Sequence, residues 1–413
     1  MKKAILKYTI VFFGLLIILV SYSTVVCLLP TEKIKKNVGK DISNMVKEGN
    51  YPYAIINKKQ YQMDNFTDAL VLSINCGVDN QKPFSSVMYA NYHYCDGKSI
   101  AECVQQQIND NVCASNYPRY WHGNSFLLRP FLFFTDYSTI RWILYTISNI
   151  LLIILSIKLY QRLGIKKTVA FVVGLLFVNI FVTQFSIQFF PVITLAVIAC
   201  ILMCIYYKNR QKILLISFIV GCLTSYLDLF TTQLLTCGLP LIVYLSIEND
   251  RLFKDRLLFL FSFCFLWAIG YVLMWASKCG LATIFTDINV FENAFYQAMG
   301  WSKTNDFSRF DAIRNNFLLL PRFFICMILT LLTPLVIIFF NKKAIKTNLL
   351  LLIVATLPYF WYFIIARPCW WHWWFSYRTQ AIAIIAVFFI FINFISWDKI
   401  KQLFNRRNKT ESF

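Results

Sequence analysis

The sequence predicts an all-α polytopic membrane protein of about ten transmembrane helices, N-in and C-in, with a large first extracytoplasmic loop containing amphipathic helices. Three observations predict it. Hydrophobic residues make up 58% and charged residues 15% of the 413 positions, where a soluble domain has roughly 45–50% and about 25%. The apolar residues fall in separated blocks of about bilayer length, more than one soluble core could absorb. The block Thr168–Tyr207 contains no Asp, Glu, Lys or Arg. At about 1.5 Å per residue it is twice as long as a bilayer is thick, which predicts two spans turning near Gln188 and Pro191.

In chain order, Lys2, Lys3 and Lys7 precede the apolar run Thr9–Pro30 and place the N-terminus in the cytoplasm. That run resembles an export signal but lacks a small-residue cleavage site, so residues 1–30 are expected to be an uncleaved anchor. Residues 31–139 then form the extracytoplasmic loop, and 140–413 a nine-span bundle. The spans fall at about 140–160, 168–184, 190–207, 213–227, 230–247, 257–276, 323–340, 347–365 and 379–396. Alternate connections carry Lys158, Arg162, Lys166 and Lys167, then Lys208, Arg210 and Lys212, then Arg251, Lys254 and Arg256, then Lys342, Lys343 and Lys346. All of these fall on the side of the basic tail 397–413, as the positive-inside rule requires. The net charge of +20 is therefore a membrane-orientation signal. No compact basic domain points to nucleic acid.

The opposite side holds 31–139, a second outer loop 277–322 and the short stretch 366–378. All three histidines, His93, His122 and His372, lie there, so chemistry is expected on the extracytoplasmic face. Asp64 and Asp68 stand four residues apart in a short apolar stretch. On a helix they share a face, where like charges repel unless a function or a cation uses them. The plainer reading is that Asp64 caps a helix and Asp68 faces water.

The run Asn116–Ser125 and Arg129 gather aromatic, cationic and His side chains: Tyr117, Arg119, Tyr120, Trp121, His122. Guanidinium groups suit phosphate and aromatic faces suit sugar rings, while an interfacial helix with snorkelling arginines would look similar. Asp228 is the lone charge in Ile213–Ile247, a functional candidate at that depth or a turn cap. Arg367–Arg378 packs Trp370, Trp371, Trp373, Trp374, Phe375 and Tyr377 around His372. That is denser than an ordinary aromatic belt and reads as a rim for a lipid phosphate or glycan. In 277–322 acidic and basic residues, Lys303 and Asp306 among them, alternate as on a solvated face.

Four cysteines, Cys76, Cys95, Cys103 and Cys113, fall in the first outer loop, where disulfides are permitted and three full pairings are open. Metal binding is the rival there, although no CxxC or HxxxH pair supports it. No cofactor is implied, with a divalent metal left open. No glycine-rich phosphate loop or nucleophile elbow occurs, so energy must come from an activated substrate or a gradient.

A cytoplasmic-start span, a long outer loop bearing Asp64 and Asp68 at the head of a helix, and many following spans resemble the GT-C glycosyltransferase superfamily. The resemblance lies in layout over most of the chain. It departs in two details: the acidic pair lies over 30 residues beyond the first span, and three residues separate its members. The resemblance implies a polyprenyl-phosphate-linked sugar donor and a glycan or lipid acceptor. Asp64 or Asp68 would be the general base, and Arg119, Arg129, Arg367 and Arg378 the phosphate contacts. Trp121, His122, Asp228 and His372 complete the expected substrate-binding set. Low Gly with abundant Lys, Ile, Asn and Phe fits a low-GC bacterium, hence a multi-pass protein of the bacterial plasma (inner) membrane among its lipids. The rival classes are a transporter or flippase of lipid-linked saccharides, which needs polar residues through the bundle, and a polysaccharide polymerase.

Overall fold

The computed structural model describes residues 2–110, 112, 115–229, 231–249, 251–302 and 307–410. Cys113, Lys303 and Asp306 lie outside the described residues. The described chain is almost wholly helical, with one two-residue antiparallel pair, β1 (Asn91–Tyr92) and β2 (Ser115–Asn116).

After α1 (Lys2–Val26), the segment before the long apolar helices folds into six helices: α2 (Thr31–Gly39), α3 (Ile42–Glu48), α4 (Asn65–Cys76), α5 (Pro83–Tyr89), α6 (Ile100–Asp110) and α7 (Gly123–Phe134). Asp64 caps α4 by accepting the Thr67 N–H, which meets one of the orphan donors of a helix start. Ser99 and Glu102 do the same for α6, each accepting from the other's backbone N–H. The apolar faces of α2, α4 and α6 bury Ile34, Val38, Val71, Leu72, Ile100 and Val104 in one core. The segment is thus a packed helical layer with its own interior.

Arg129 on α7 fastens this layer to the end of α1. Its guanidinium donates to the carbonyls of Val26, Leu29 and Asn75 at 3.0, 2.8 and 2.6 Å and to Thr31 Oγ1 at 2.8 Å. Cys95 and Cys103 form a disulfide, and Cys76 is buried on α4.

The remainder comprises α8 (Tyr137–Leu176), α9 (Ile180–Thr183), α10 (Phe190–Tyr206), α11 (Arg210–Leu227), α12 (Leu235–Ile247), α13 (Phe253–Phe285) and α14 (Val290–Ser302). It continues through α15 (Arg309–Leu318), α16 (Arg322–Ile338), α17 (Ile345–Ala355), α18 (Leu357–Ile364), α19 (Ala366–Trp371), α20 (Trp373–Ser376), α21 (Ala381–Phe394) and α22 (Trp397–Thr410). Gly164, at φ 74° and ψ 171°, breaks α8 into two arms, a conformation that the absence of a Cβ makes cheap.

Among the described residues, six stretches are long and apolar enough to cross a membrane: Ile5–Val26, Tyr137–Leu176, Arg210–Leu227, Phe253–Phe285, Lys342–Ile364 and Trp373–Phe394. The pair α15 and α16, bent by 75°, makes a seventh if it is one span. The sequence predicted about ten. The difference arises because the stretches 140–160 and 168–184 fall largely within the broken α8, and because α10 and α12 have only 17 and 13 residues.

The turn predicted at Gln188 and Pro191 begins earlier. Helix α8 ends at Leu176, residues 177–189 are largely irregular, and Pro191 sits at the start of α10, where its missing N–H costs no helix bond.

Helices α11 and α13 cross at two glycines, Gly221 against the Trp267 carbonyl and Gly270 against the Phe218 carbonyl, as small residues permit. The basic connections touch one another at one end of the bundle. Arg162 donates to the Cys204 carbonyl, Arg210 to that of Asp255, and Arg256 to Thr347 Oγ1. The other ends meet the helical layer of α2–α7, where Trp121 donates to the Met274 carbonyl and Lys278 to those of Val87 and Met88.

Candidate functional site

Beside the α2–α7 layer a cavity of about 250 Å³ opens between α4, the Tyr117–Tyr120 loop, α14 and α18–α20. Its walls are mainly aromatic: Tyr51, Tyr117, Tyr120, Trp301, Trp361 and Trp371 among them. Asp64 supplies its carboxylate and His372 its imidazole. Asp64 is 2% exposed. Its two oxygens accept the Thr67 N–H at 3.0 Å and the Thr67 hydroxyl at 2.7 Å. Burial pushes the Asp64 carboxyl up to about 7, against the two Thr67 hydrogen bonds and the positive charge of Arg378. A carboxyl so placed is poised near neutral pH to take or give a proton.

Asp68, one turn further on, is fully buried and does not line this cavity. It accepts from the Tyr137 hydroxyl at 2.7 Å, Ser186 Oγ at 2.9 Å, and the N–H groups of Ile187 and Gln188 at 3.0 and 2.9 Å. Burial pushes its carboxyl above the ordinary carboxylate range, opposed by Arg141 and by the hydrogen bonds from Tyr137, Gln188 and Ile187. Asp68 satisfies the irregular backbone after α8, which otherwise would be buried without partners.

The aromatic stretch 366–378 forms one wall. Pro368, Trp371, His372 and Phe375 face the cavity, with His372 stacked on Phe375 at 5.1 Å between ring centres. Burial lowers the His372 pKa. Arg367 lies over the Trp371 ring at 4.5 Å. Arg378 is buried and donates to the carbonyls of Gln60 and Gln62 at 3.2 and 3.4 Å, its Nε unpartnered.

A second cavity, about 190 Å³ and largely apolar, adjoins the first through Tyr120, Trp301 and Ile365, and is lined further by Tyr271, Val272 and Trp275. Arg119 stands at its edge, over the Tyr117 ring at 4.8 Å and donating to Asn293 Oδ1 at 2.7 Å.

Four other expected substrate-binding residues are turned into the fold. Trp121 is buried with its N–H on the Met274 carbonyl. His122 is buried in a left-handed conformation, its Nε2 2.8 Å from the Tyr117 carbonyl, and burial lowers its pKa to about 3. Arg129 is held by the four acceptors described above, and burial lowers its pKa to about 10. Asp228 accepts the Thr231 N–H and hydroxyl at the end of α11, and its neighbours Leu229 and Thr231 line the cavity.

Sequence reasoning missed Tyr51, Thr67, Thr231, Trp301 and Trp361, which reach the cavity from five separate segments. It also missed Gln184 and Gln233, buried with side-chain amides unpaired. His93 is buried with neither ring nitrogen hydrogen-bonded, away from both cavities. Among the described residues no three His, Cys, Asp or Glu side chains gather as a metal-binding group.

No family model, curated protein or solved structure matches this chain. Chemically, the paired cavities offer a carboxylate whose proton affinity lies near neutral pH, flat aromatic walls, Arg119 at the edge and Arg367 against Trp371. Such a site can deprotonate a hydroxyl, stack a sugar ring and hold an anionic leaving group. With the two volumes joined it reaches the range of ligand sites, roughly 300–1,000 Å³.

Proposed function

We propose that the chain is an inverting membrane glycosyltransferase. It would move a sugar from a polyprenyl-phosphate donor to a cell-surface glycan or lipid on the extracytoplasmic face. The observation that carries this reading is Asp64, a buried carboxylate opening into an aromatic-walled cavity. An acceptor hydroxyl is a poor nucleophile until a positioned base takes its proton, an effect worth typically 10²–10⁴-fold. In the proposed step the acceptor oxygen bonds to the anomeric carbon, its proton passes to Asp64, and the carbon–oxygen bond to the phosphate breaks. The phosphate leaves with the electron pair, and Arg119 and Arg367 at the rim supply positive charge for it. His372 and the Trp and Tyr faces hold the sugar.

Asp64 takes the base role rather than Asp68 because the four donors around Asp68 leave it no access to the cavity. The finer topology belongs to the same proposal: ten crossings, both termini cytoplasmic, in a bacterial plasma membrane.

The test is complementation of a null strain with Asp64→Asn, scoring surface polysaccharide and lipid-linked sugar while checking membrane abundance by immunoblot. Loss of the glycan modification with donor lipid accumulating, at normal abundance, supports transfer by Asp64. Wild-type glycan from Asp64→Asn refutes it.

A further inference from the structure

At the opposite end of the bundle a cleft of about 1,120 Å³ lies between the broken point of α8, the α16–α17 connection and the start of α22. Six lysines line it, Lys166, Lys167, Lys342, Lys343, Lys399 and Lys401, against one carboxylate, Asp398. They arrive from three segments far apart in sequence. Gly164 turns the chain so that Lys166 sits over the Trp397 ring at 3.2 Å. The other two segments are stitched together: Asn341 N–H donates to the Phe394 carbonyl at 2.8 Å, and Ser396 N–H to that of Phe339 at 2.7 Å. Phe340 and Phe394 stack between them at 5.2 Å. The cleft is therefore built by fixed backbone.

A rule that merely places positive charge in loops does not require this convergence, and the neighbouring connections show the contrast. There Arg210, Arg251 and Arg256 share Glu248 at 4.0, 2.7 and 3.9 Å. Among the described residues none of the six cleft lysines has a carboxylate within ion-pair distance. Two exposed apolar side chains, Ile165 and Phe340, stand in the cleft wall itself, and Ile337, Ile338 and Ile345 are exposed on the stretches of chain that flank its Phe340–Lys343 lining. A soluble anion would leave that apolar rim unused. An anionic headgroup joined to hydrocarbon chains uses both, as basic pockets between spans do.

We propose that this cleft binds the phosphodiester headgroup of an anionic membrane lipid, with its acyl chains along Ile165, Ile337, Ile338 and Ile345. The site is independent of the outer cavities and of what they catalyse.

The test uses the full-length chain purified in a neutral detergent and stripped of lipid, titrated with phosphatidylglycerol or phosphatidylcholine and read by native mass spectrometry. Each lysine near an anionic group is worth roughly fivefold in binding. Replacing Lys342, Lys343, Lys399 and Lys401 together by Gln is expected to weaken phosphatidylglycerol binding more than tenfold. The same positions changed to Arg should keep it. A matched variant, with Lys158, Lys208, Lys212 and Lys254 changed to Gln, removes equal charge outside the cleft and should alter binding less than twofold.

Equal loss in both Gln variants overturns the site, as does equal binding of the two lipids by the wild-type chain, a comparison that needs no variant to fold. Displacement of phosphatidylglycerol by inorganic pyrophosphate at equal concentration overturns the lipid assignment and makes the occupant a soluble anion.

Discussion

Asp64 and Thr67 are joined twice, the Thr67 N–H donating to one carboxylate oxygen at 3.0 Å and its hydroxyl to the other at 2.7 Å. The pair starts α4 and at the same time aims the carboxylate into the cavity. Cap and chemistry therefore share one side chain, and they separate by pH. Burial raises the Asp64 carboxyl from 3.8 to about 7, so its ionised form opposes folding. That cost is absent below the unfolded value near 3.9, grows as pH rises towards about 7, and is constant above, reaching roughly 3–5 kcal/mol. Asn keeps an acceptor for the Thr67 N–H, and the Thr67 hydroxyl can turn to accept from the new amide. Asp64→Asn is expected to melt close to wild type at pH 4.5 and several degrees above it at pH 8. Scanning fluorimetry in detergent at the two pH values decides; an Asn variant less stable than wild type at pH 8 contradicts the assignment.

Asp68→Asn should behave in the opposite way, because four donors converge on this carboxylate against two on Asp64, and their loss outweighs the relief of a buried charge. Ile187 and Gln188 donate backbone N–H groups to different oxygens of Asp68, and neither donor can turn round. Whichever way the Asn amide sits, its NH₂ faces one of them, leaving a buried donor unmet at a cost of about 1–3 kcal/mol. The expected outcome is reduced membrane abundance and a lower melting temperature at neutral pH. Quantitative immunoblot and thermal unfolding check both; normal abundance and stability would remove Asp68 from its structural role.

The membrane class was legible because hydrocarbon leaves its mark on every apolar block, and charge asymmetry marks which connections meet. The basic connections do touch, through Arg162, Arg210 and Arg256. Helix boundaries were less legible, because hydropathy registers Gly164 only weakly and does not show that α10 and α12 have 17 and 13 residues. At the site, spacing identified Asp64 and Asp68 as a pair but could not divide them. That division depends on Ile187 and Gln188, over a hundred residues away in sequence. Likewise Trp121 and Arg129 read as rim residues, since an aromatic or a guanidinium at an interface looks the same whether it faces a ligand or a carbonyl.

The crossing of α11 and α13 makes a packing prediction. A Cβ at Gly221 would collide with the Trp267 carbonyl, and one at Gly270 with that of Phe218. Both neighbours are backbone and cannot rotate away, so the two helices must part. Gly221→Ala and Gly270→Ala are each expected to cost at least the 1–3 kcal/mol typical of overpacking. Gly14→Ala, where nothing lies within 4 Å of the added carbon, should be neutral. Melting temperatures of the three variants test the contrast, and equal values for all three would contradict the close approach.

Arg378 lies close enough for its charge to hold the Asp64 carboxyl below where burial alone would put it. Its guanidinium bonds to the Gln60 and Gln62 carbonyls rather than to Asp64 itself, so it acts on the carboxylate through space. If Asp64 is the base, transfer requires its ionised form, and the rate should rise with pH through about 7 in the wild type. Arg378→Gln removes the positive charge and keeps a donor for the same carbonyls. The ionised carboxylate then loses its support, its pKa rises, and the ascending limb of the pH–rate profile should move to higher pH. At a pH well above the limb the variant should recover most of its rate, which a merely misfolded protein would not do. Rates with a polyprenyl-phosphate-sugar donor from pH 5.5 to 9 check this. A profile lowered equally at every pH would show that Arg378 supports the fold and leaves the proton affinity of Asp64 unchanged.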